Sequence, residues 1–371
     1  MRQVEKYLYK TDYVNDYKKF KESIINKTIL PYQVEIQPGP TGAKICWLDC
    51  PYCYGKSAIN SKERLSLERY LELINEIADG GIKKVIFAGW ATDPLFYKNI
   101  DELVECSVKN KLIVGFNTKA INVSNNLINS LASSKLNSDS YMSISIDASN
   151  NEIYNLVHGV KNLKSNIYER VKNNIKNINL KSNIFISVSY LVNDHNCDKE
   201  IISSFIEQFT ELNVDLIRFS FPQFPKGQEI GYTPDIPDEK RRNELEKELR
   251  IYINEISKNI NTNTKILFLP SNDLFYKPRS LPCFARFIYP TIGYDGWLYH
   301  CSQSAGTNFH STALGNLNEK NFFELLYNYD FSDEKNYFNN LCNKLDKSGC
   351  RCDRKEHTVN NAIKASNCFN Y

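Results

Sequence analysis

The sequence predicts an α/β fold whose parallel sheet is built from repeated strand–helix units. Short apolar runs recur between residues 34 and 219 and are typical of buried parallel strands. Segments with apolar residues at helical spacing lie between these runs, and Gly80 and Gly81 end the first of them. Because strands and helices alternate, we expect βαβ units with right-handed crossovers.

Six strands are predicted in this part of the chain, over residues 34–36, 84–88, 113–117, 141–147, 184–192 and 216–219. The helices between them are predicted over 67–77, 101–109, 127–133, a stretch that ends near 177, and 199–212. Ligands of parallel sheets bind beyond the carboxyl ends of the strands. The residues that follow each strand are therefore the first candidates for a functional site.

The last part of the chain differs in composition. Residues 222–240 contain four prolines and two glycines and predict a loop that leaves the sheet. An amphipathic helix is predicted over 239–258 and a short strand over 266–269, and the run 270–282 is a candidate boundary. We therefore expect a charged lead-in, a parallel-sheet domain, a segment of loop, helix and linker, and a cysteine-rich domain, over residues 1–30, 31–222, 223–282 and 283–371.

Composition excludes several classes of protein. The net charge is +3 and the chain of 371 residues has no large basic block, so we expect no nucleic-acid partner. It has neither a signal-like apolar segment near its start nor an apolar run of membrane-spanning length, so we expect no membrane association. Eleven cysteines in such a chain favour metal ligands over disulfides, and a reducing, cytoplasmic location.

Three of these cysteines follow the first predicted strand. Cys46, Cys50 and Cys53 have the spacing C-x3-C-x2-C, and Tyr52 precedes the third. Three thiolates this close can each bind one iron of a four-iron cluster, which leaves one iron open to a small molecule. A zinc site is one alternative, although zinc prefers four protein ligands. A disulfide with one spare thiol is another, and it would need an oxidising compartment.

This spacing resembles the signature of the radical S-adenosylmethionine (radical SAM) family. The resemblance implies a partial (β/α)6 barrel, in agreement with the six predicted strands, and a [4Fe-4S] cluster on Cys46, Cys50 and Cys53. It also implies that S-adenosylmethionine (SAM) chelates the open iron. On one-electron reduction SAM would release a 5′-deoxyadenosyl radical that abstracts hydrogen from a substrate. A donor such as flavodoxin or ferredoxin would supply the electron.

The same resemblance suggests residues that contact SAM. Gly89, Thr92 and Asp93 stand where the family has a Gly-Gly-Glu-Pro type motif for the amino group of SAM, but only one glycine is present. The alternative is an ordinary turn in which Asp93 caps a helix. Tyr52 is expected near the adenine of SAM, with local packing as its alternative.

The fourth and fifth strands supply further candidates. Ser145, two residues before Asp147, and the His-Gly-Val segment at His158 resemble a Ser-x-Asp strand followed by Arg-Gly-Val, in which the serine and arginine contact the SAM carboxylate. His158 stands in place of that arginine, and a neutral imidazole cannot form the charged two-point contact of a guanidinium. Another group is then expected to share carboxylate recognition, and a structural role is the alternative for His158. Ser189 on the fifth strand is a further candidate.

Six cysteines after residue 282 indicate a second metal site, and they are Cys283, Cys301, Cys342, Cys350, Cys352 and Cys368. Asp295-Gly296 lies between two apolar runs and predicts a β-hairpin, which brings the cysteines before and after the turn to one end. The pattern C-x12-G-x4-C resembles the start of the SPASM or twitch extension of radical SAM enzymes, which holds auxiliary iron–sulfur clusters. The later spacing departs from SPASM, so we expect one fully ligated auxiliary cluster or two incomplete ones, with a zinc site as the alternative.

The resemblance implies an enzyme, and two substrate classes remain open. Crosslinking, oxidation or epimerisation of a peptide or protein is the first hypothesis, because the Ser145 segment and the hairpin pattern look most like the peptide-modifying branch. About 30 residues precede the first strand, few for an added leader-binding domain, which favours small-molecule dehydrogenation or rearrangement as the alternative. A third hypothesis, a non-catalytic metal-binding scaffold, rests on the altered glycine motif and the missing arginine.

Overall fold

The computed structural model describes residues 14–39, 48–53, 63–89, 92–136, 138–162, 164–221, 239–260, 262–269, 282–350, 352 and 354–370. Its strands are β1 (Val34–Ile36), β2 (Lys84–Phe87), β3 (Ile113–Thr118), β4 (Tyr141–Ser145), β5 (Phe185–Leu191), β6 (Leu216–Ser220), β7 (Lys265–Phe268), β8 (Thr291–Ile292), β9 (Trp297–Tyr299) and β10 (Gly315–Asn316). Its helices are α1 (Tyr17–Ile25), α2 (Leu67–Asp79), α3 (Ile100–Lys109), α4 (Asn125–Ser133), α5 (Asn151–Val157), α6 (Ile167–Lys181), α7 (Lys199–Glu211), α8 (Glu239–Asn259), α9 (Phe322–Leu326), α10 (Glu334–Lys347) and α11 (Arg354–Ala365).

The strands form one sheet in the order β10-β9-β8-β1-β2-β3-β4-β5-β6-β7. From β1 to β7 every neighbouring pair is parallel and follows chain order, which confirms the α/β fold with a parallel sheet. The sheet extends beyond the six predicted strands at both sides. β7, which we predicted within a linker segment, pairs with β6, and β8 of the cysteine-rich domain pairs in parallel with β1.

Two predicted elements differ from their sequence pattern: one strand is shorter and one helical stretch is divided. β4 stops at Ser145 because Asp147, two residues later, has a φ of +59°, in the left-handed region. The helix predicted up to residue 177 is divided into α5 and α6, and Gly159 between them has a φ of +58°. A non-glycine residue in the left-handed region persists only where its surroundings hold it there, so Asp147 marks a constrained point at the carboxyl edge of the sheet.

The two faces of the parallel sheet differ in polarity. Side chains alternate between faces along a strand, and one face packs with α2 to α7 in the main apolar core. On the other face, Ser145, Ser189 and Arg218 are register neighbours on β4, β5 and β6 near the carboxyl edge. Ile86 and Phe185 lie on the same face nearer the amino edge, in a small apolar cluster. We call this second face, which carries Ser145, Ser189 and Arg218, the inner face. It is apolar near the amino edge of the sheet and polar near the carboxyl edge, where ligands of parallel sheets bind.

The cysteine-rich part of the chain has a second apolar core that includes the lead-in helix. β8 and β9 form the predicted antiparallel hairpin around Asp295-Gly296. Phe20 of α1 packs against Phe284 and Phe369, at ring-centroid distances of 6.3 and 6.1 Å. The Lys21 ammonium on the same helix lies 2.6 Å from the carboxylate of Glu334. The lead-in, to which the sequence assigned no clear role, thus ties the start of the described chain to its C-terminal core. None of the described helices combines the length and the apolar character needed to cross a bilayer.

Candidate active site

The cysteine loop lies beyond the carboxyl end of β1 and is docked on the segment that follows α5. Cys50 is buried and Cys53 is half-buried, whereas Cys46 lies outside the described residues. The backbone N–H of Asp49 donates a 2.8 Å hydrogen bond to the carbonyl oxygen of His158. A Cβ on Gly159 would lie 2.6 Å from the Asp49 carbonyl oxygen, so this close approach of two backbones requires glycine. The loop is therefore held by main-chain contacts next to its second cysteine.

A buried polar network at the ends of β3 and β4 holds the same loop from below. The Tyr52 hydroxyl donates to Asp147 Oδ2 at 2.8 Å, and the Lys119 ammonium lies 3.0 Å from the same oxygen. His158 Nδ1 is 3.0 Å from the Tyr52 hydroxyl oxygen and 3.2 Å from Cys50 Sγ. Tyr52 therefore contacts the ion pair of Lys119 and Asp147, rather than only packing locally.

Asp147 is the centre of this network. Its Oδ1 accepts from the backbone N–H of Leu191, at 2.7 Å, and its carbonyl oxygen accepts from the Asn196 side chain, at 2.8 Å. Burial acts to raise the pKa of Asp147, but the Lys119 ammonium and the donated hydrogen bonds hold it below its usual value. The side chain is fully buried and ionised, and it joins the cysteine loop to β3, β4 and β5.

The Lys119 ammonium keeps its charge despite burial. Burial acts to lower the pKa of Lys119, yet the negative charge of Asp147, and that of Cys50 and Cys53 when they are deprotonated, raises it above its usual value. An ammonium beside two thiolates makes their deprotonated form less costly. These residues therefore fit a site whose sulfurs bind metal as thiolates.

His158 is neutral and fully enclosed. Its Nε2 is 2.9 Å from the Ile146 carbonyl oxygen, which places the ring proton on Nε2 and leaves the Nδ1 lone pair facing Cys50 and Tyr52. Burial, and then the Lys119 charge, lower the pKa of His158 to about 3. Its ring lies 4.3 Å from that of Tyr154 and none of it is exposed. The structure thus places His158 beneath the cysteine loop as a support for Cys50, where it has no surface for a ligand.

The turn after β2 contains the three residues predicted to receive the SAM amino group. A Cβ on Gly89 would lie 1.5 Å from the Thr92 carbonyl oxygen, so only glycine fits this turn. Asp93 accepts from the Leu95 backbone N–H, as the cap of the short helix Pro94–Phe96, and from the Thr118 hydroxyl. Its Oδ2 also accepts from the backbone N–H of Lys119. Asp93 therefore has the capping geometry of the alternative interpretation, and it fixes the start of the segment that carries Lys119.

The two predicted serines lie together on the polar inner face. The Ser189 hydroxyl donates to the Ser145 hydroxyl oxygen at 3.2 Å, and Ser145 is half-buried while Ser189 is buried. They occupy the row of the sheet next to Arg218 on β6. The sequence-predicted pair thus converges at the carboxyl edge, beside the end of β3.

Sequence reasoning missed Lys119 and the central role of Asp147. Lys119 directly follows β3, and Asp147 follows β4 by two residues. Ligands of parallel sheets bind residues just beyond the carboxyl ends of the strands, and both residues lie there. Their position after a predicted strand was therefore the sequence signal that could have identified them. Neither had a partner that could be read from local spacing, because the ion pair joins residues 28 positions apart.

Four cysteines of the C-terminal group line one small buried cavity, and they are Cys283, Cys301, Cys350 and Cys352. His300 and Glu356 complete its polar wall. Burial raises the pKa of the Cys301 thiol well above its usual value, and Glu356 and the other three thiols act in the same direction. Four thiolates here therefore require a positively charged partner. Cys342 lies on α10, and neither it nor Cys368 is among the described residues that line this cavity.

Within the described ranges, no three His, Cys, Asp or Glu side chains converge closely enough to hold a single metal ion. Cysteines that line one cavity are the ligand type of both a structural zinc site and an iron–sulfur cluster.

The fold combines a parallel α/β sheet with a cysteine loop beyond its first strand. Residues 42–205 match the family model of the Radical SAM superfamily. The match assigns a radical SAM domain to residues 42–205, and enzymes with this domain use a [4Fe-4S] cluster and SAM. A comparison with curated proteins gave no match.

Solved structures of radical SAM enzymes share the fold of this chain. SuiB of Streptococcus suis bound to S-adenosylmethionine is 16% identical with a TM-score of 0.61, over 84% of this chain and 69% of that one. SuiB bound to its precursor peptide SuiA gives a TM-score of 0.58 at 16% identity, over 84% and 68% of the two chains. The enzyme anSMEcpe with AdoMet and the Kp18Cys peptide gives 0.56 at 17% identity, over 82% of both chains. At these identities the likeness establishes the fold.

Proposed function

We propose that this radical SAM enzyme abstracts hydrogen from a peptide or protein substrate, with one auxiliary [4Fe-4S] cluster besides the cluster that binds SAM. The observation that carries the proposal is the pair of cysteine groups on neighbouring strands of one sheet. The cysteine loop follows β1, and the hairpin flanked by Cys283 and Cys301 pairs with β1 through β8. The proposal is also supported by the similar folds of SuiB and anSMEcpe, because structures of both proteins have been solved with peptides.

In this proposal each cysteine group holds one cluster. Cys46, Cys50 and Cys53 hold the cluster that binds SAM, and the four cysteines around the C-terminal cavity hold the auxiliary cluster. When bound, the first cluster and SAM supply reductive cleavage to a 5′-deoxyadenosyl radical, and the auxiliary cluster supplies an electron acceptor or a site for a substrate thiol. Cys342 and Cys368 have no ligand role in this proposal.

The surrounding residues position these ligands. Tyr52 and His158 fix the cysteine loop through Asp147, while Gly89 and Thr92 form the turn that faces SAM from β2. Ser145 and Ser189 present hydroxyl groups to SAM or to substrate on the polar inner face. Hydroxyls and an arginine in one row suit the amides and polar groups of a peptide chain.

Transfer of deuterium into 5′-deoxyadenosine tests the substrate class. Cells grown in D2O supply a deuterated proteome digest and, separately, a deuterated metabolite extract. We expect the reconstituted enzyme with SAM and dithionite to form deuterated 5′-deoxyadenosine from the peptide fraction, as measured by mass spectrometry. A Cys50→Ala variant is the control and should form none. Transfer from the metabolite fraction alone would contradict the peptide proposal and would favour the small-molecule alternative.

A further inference from the structure

A partly exposed lysine lies beside the cysteine loop of this chain, which lacks the arginine expected to contact the SAM carboxylate. Lys119 follows β3 directly, and its side chain is 15% exposed. The Asp147 carboxylate lies 3.0 Å from its ammonium, and His158 Nδ1, which contacts Cys50 Sγ at 3.2 Å, lies 3.4 Å from it. The ammonium is therefore next to the cysteine loop and is not fully enclosed.

One of the three N–H groups of the Lys119 ammonium has no acceptor among the described residues. An ammonium carries three N–H donors, and Asp147 Oδ2 at 3.0 Å and His158 Nδ1 at 3.4 Å accept two of them. His158 Nε2 cannot accept because it carries the proton donated to Ile146. No other described residue accepts a hydrogen bond from this ammonium. The third donor is thus available to a ligand that enters beside the cysteines.

The neighbouring groups suit an incoming carboxylate. Thr118, the last residue of β3, is paired with Ile144, and Lys119 and Ser145 are the residues that directly follow this pair in the sequence. Ser145 in turn contacts Ser189, so a cation and two hydroxyls share one corner of the sheet. Asp147 already accepts hydrogen bonds from the Leu191 backbone, the Tyr52 hydroxyl and Lys119.

We propose that Lys119, with Ser145 beside it, receives the carboxylate of SAM in this protein, in place of the arginine whose position His158 occupies. The assignment rests on the proposed SAM site on Cys46, Cys50 and Cys53. His158 cannot fill this role, since none of it is exposed. The competing explanation is that Lys119 only balances the charge of Asp147 and the thiolates.

Decarboxylated SAM separates these explanations, because it keeps the sulfonium, the amino group and the adenosine but lacks the carboxylate. The variants are Lys119→Met, which keeps the stem without the charge, and Lys119→Arg, which keeps a cation. Lys109→Met on the exposed face of α3 is the matched control. Binding of each ligand to the reconstituted proteins is measured by equilibrium dialysis and by the change in the EPR spectrum of the reduced cluster.

We expect Lys119→Met to bind SAM at least about tenfold more weakly, the usual cost of one charge-assisted hydrogen bond, while its affinity for decarboxylated SAM stays within about twofold. Lys119→Arg and Lys109→Met should keep the preference for SAM. The ratio of the two affinities is independent of cluster occupancy, so partial reconstitution does not affect it. An equal loss for both ligands, or no loss, would overturn the assignment. Wild-type protein that binds neither ligand would instead overturn the proposed SAM site itself.

Discussion

Replacing Cys283 and Cys301 with alanine is expected to remove about four irons per chain while SAM cleavage continues. Both thiols line the C-terminal cavity with Cys350 and Cys352, and a four-iron cluster that loses two of its four ligands is not retained. The cysteine loop lies on a different strand end and keeps its own support from Asp147. Iron and sulfide analysis of the anaerobically reconstituted variant, together with a 5′-deoxyadenosine assay, measures both parts of the prediction.

The chain offers a matched control for this variant. Cys342 and Cys368 belong to the same domain but do not line the cavity among the described residues, so replacing both should leave the iron content unchanged. If the Cys342 and Cys368 variant loses iron as well, a second auxiliary cluster or another ligand set is present. Zinc in place of iron in the wild-type domain would contradict the cluster assignment altogether.

Replacing Asp147 with alanine is expected to destabilise the protein by about 3–5 kcal/mol and to prevent assembly of the SAM cluster. The change leaves the buried Lys119 cation without its counter-ion and removes the acceptor of the Tyr52 hydroxyl and the Leu191 N–H. Thermal unfolding should show a melting temperature lower by at least about 5 °C. Asp147→Asn should be milder, because asparagine tolerates the left-handed backbone and can still accept hydrogen bonds.

A double-mutant cycle checks the physical reason for this effect. If the cost comes from an unpaired buried cation, adding Lys119→Met to Asp147→Asn should restore much of the lost stability. Additive losses from the two substitutions would show that Asp147 acts through its backbone position and its bonds to β5 rather than through the ion pair.

Much of the fold followed from local sequence signals. Apolar runs and helical spacing located the parallel strands, and Asp295-Gly296 predicted the hairpin that β8 and β9 form. The strand 265–268 was also recognised, but its membership of the sheet was not. β6 and β7 are far apart in the sequence, with α8 between them, and partner choice is not encoded in a strand's own residues.

The site was predicted less completely, because its geometry depends on contacts between distant residues. The family spacing located the cysteine loop, but the ion pair beneath it joins the ends of β3 and β4. Which four of six cysteines share a cavity was likewise set by how α10 and α11 pack on the hairpin. The burial of His158 against Cys50 also depends on tertiary packing, which its neighbours in the sequence do not reveal.

The measurement that tests the central claim most directly compares wild-type protein with a variant in which Cys46, Cys50 and Cys53 are alanine. Both are reconstituted anaerobically, analysed for iron and sulfide, and incubated with SAM and dithionite. We predict about eight irons and release of 5′-deoxyadenosine for the wild type, and about four irons with no 5′-deoxyadenosine for the variant. Equal iron in the two proteins, or SAM cleavage by the variant, would contradict a radical SAM site on these three cysteines.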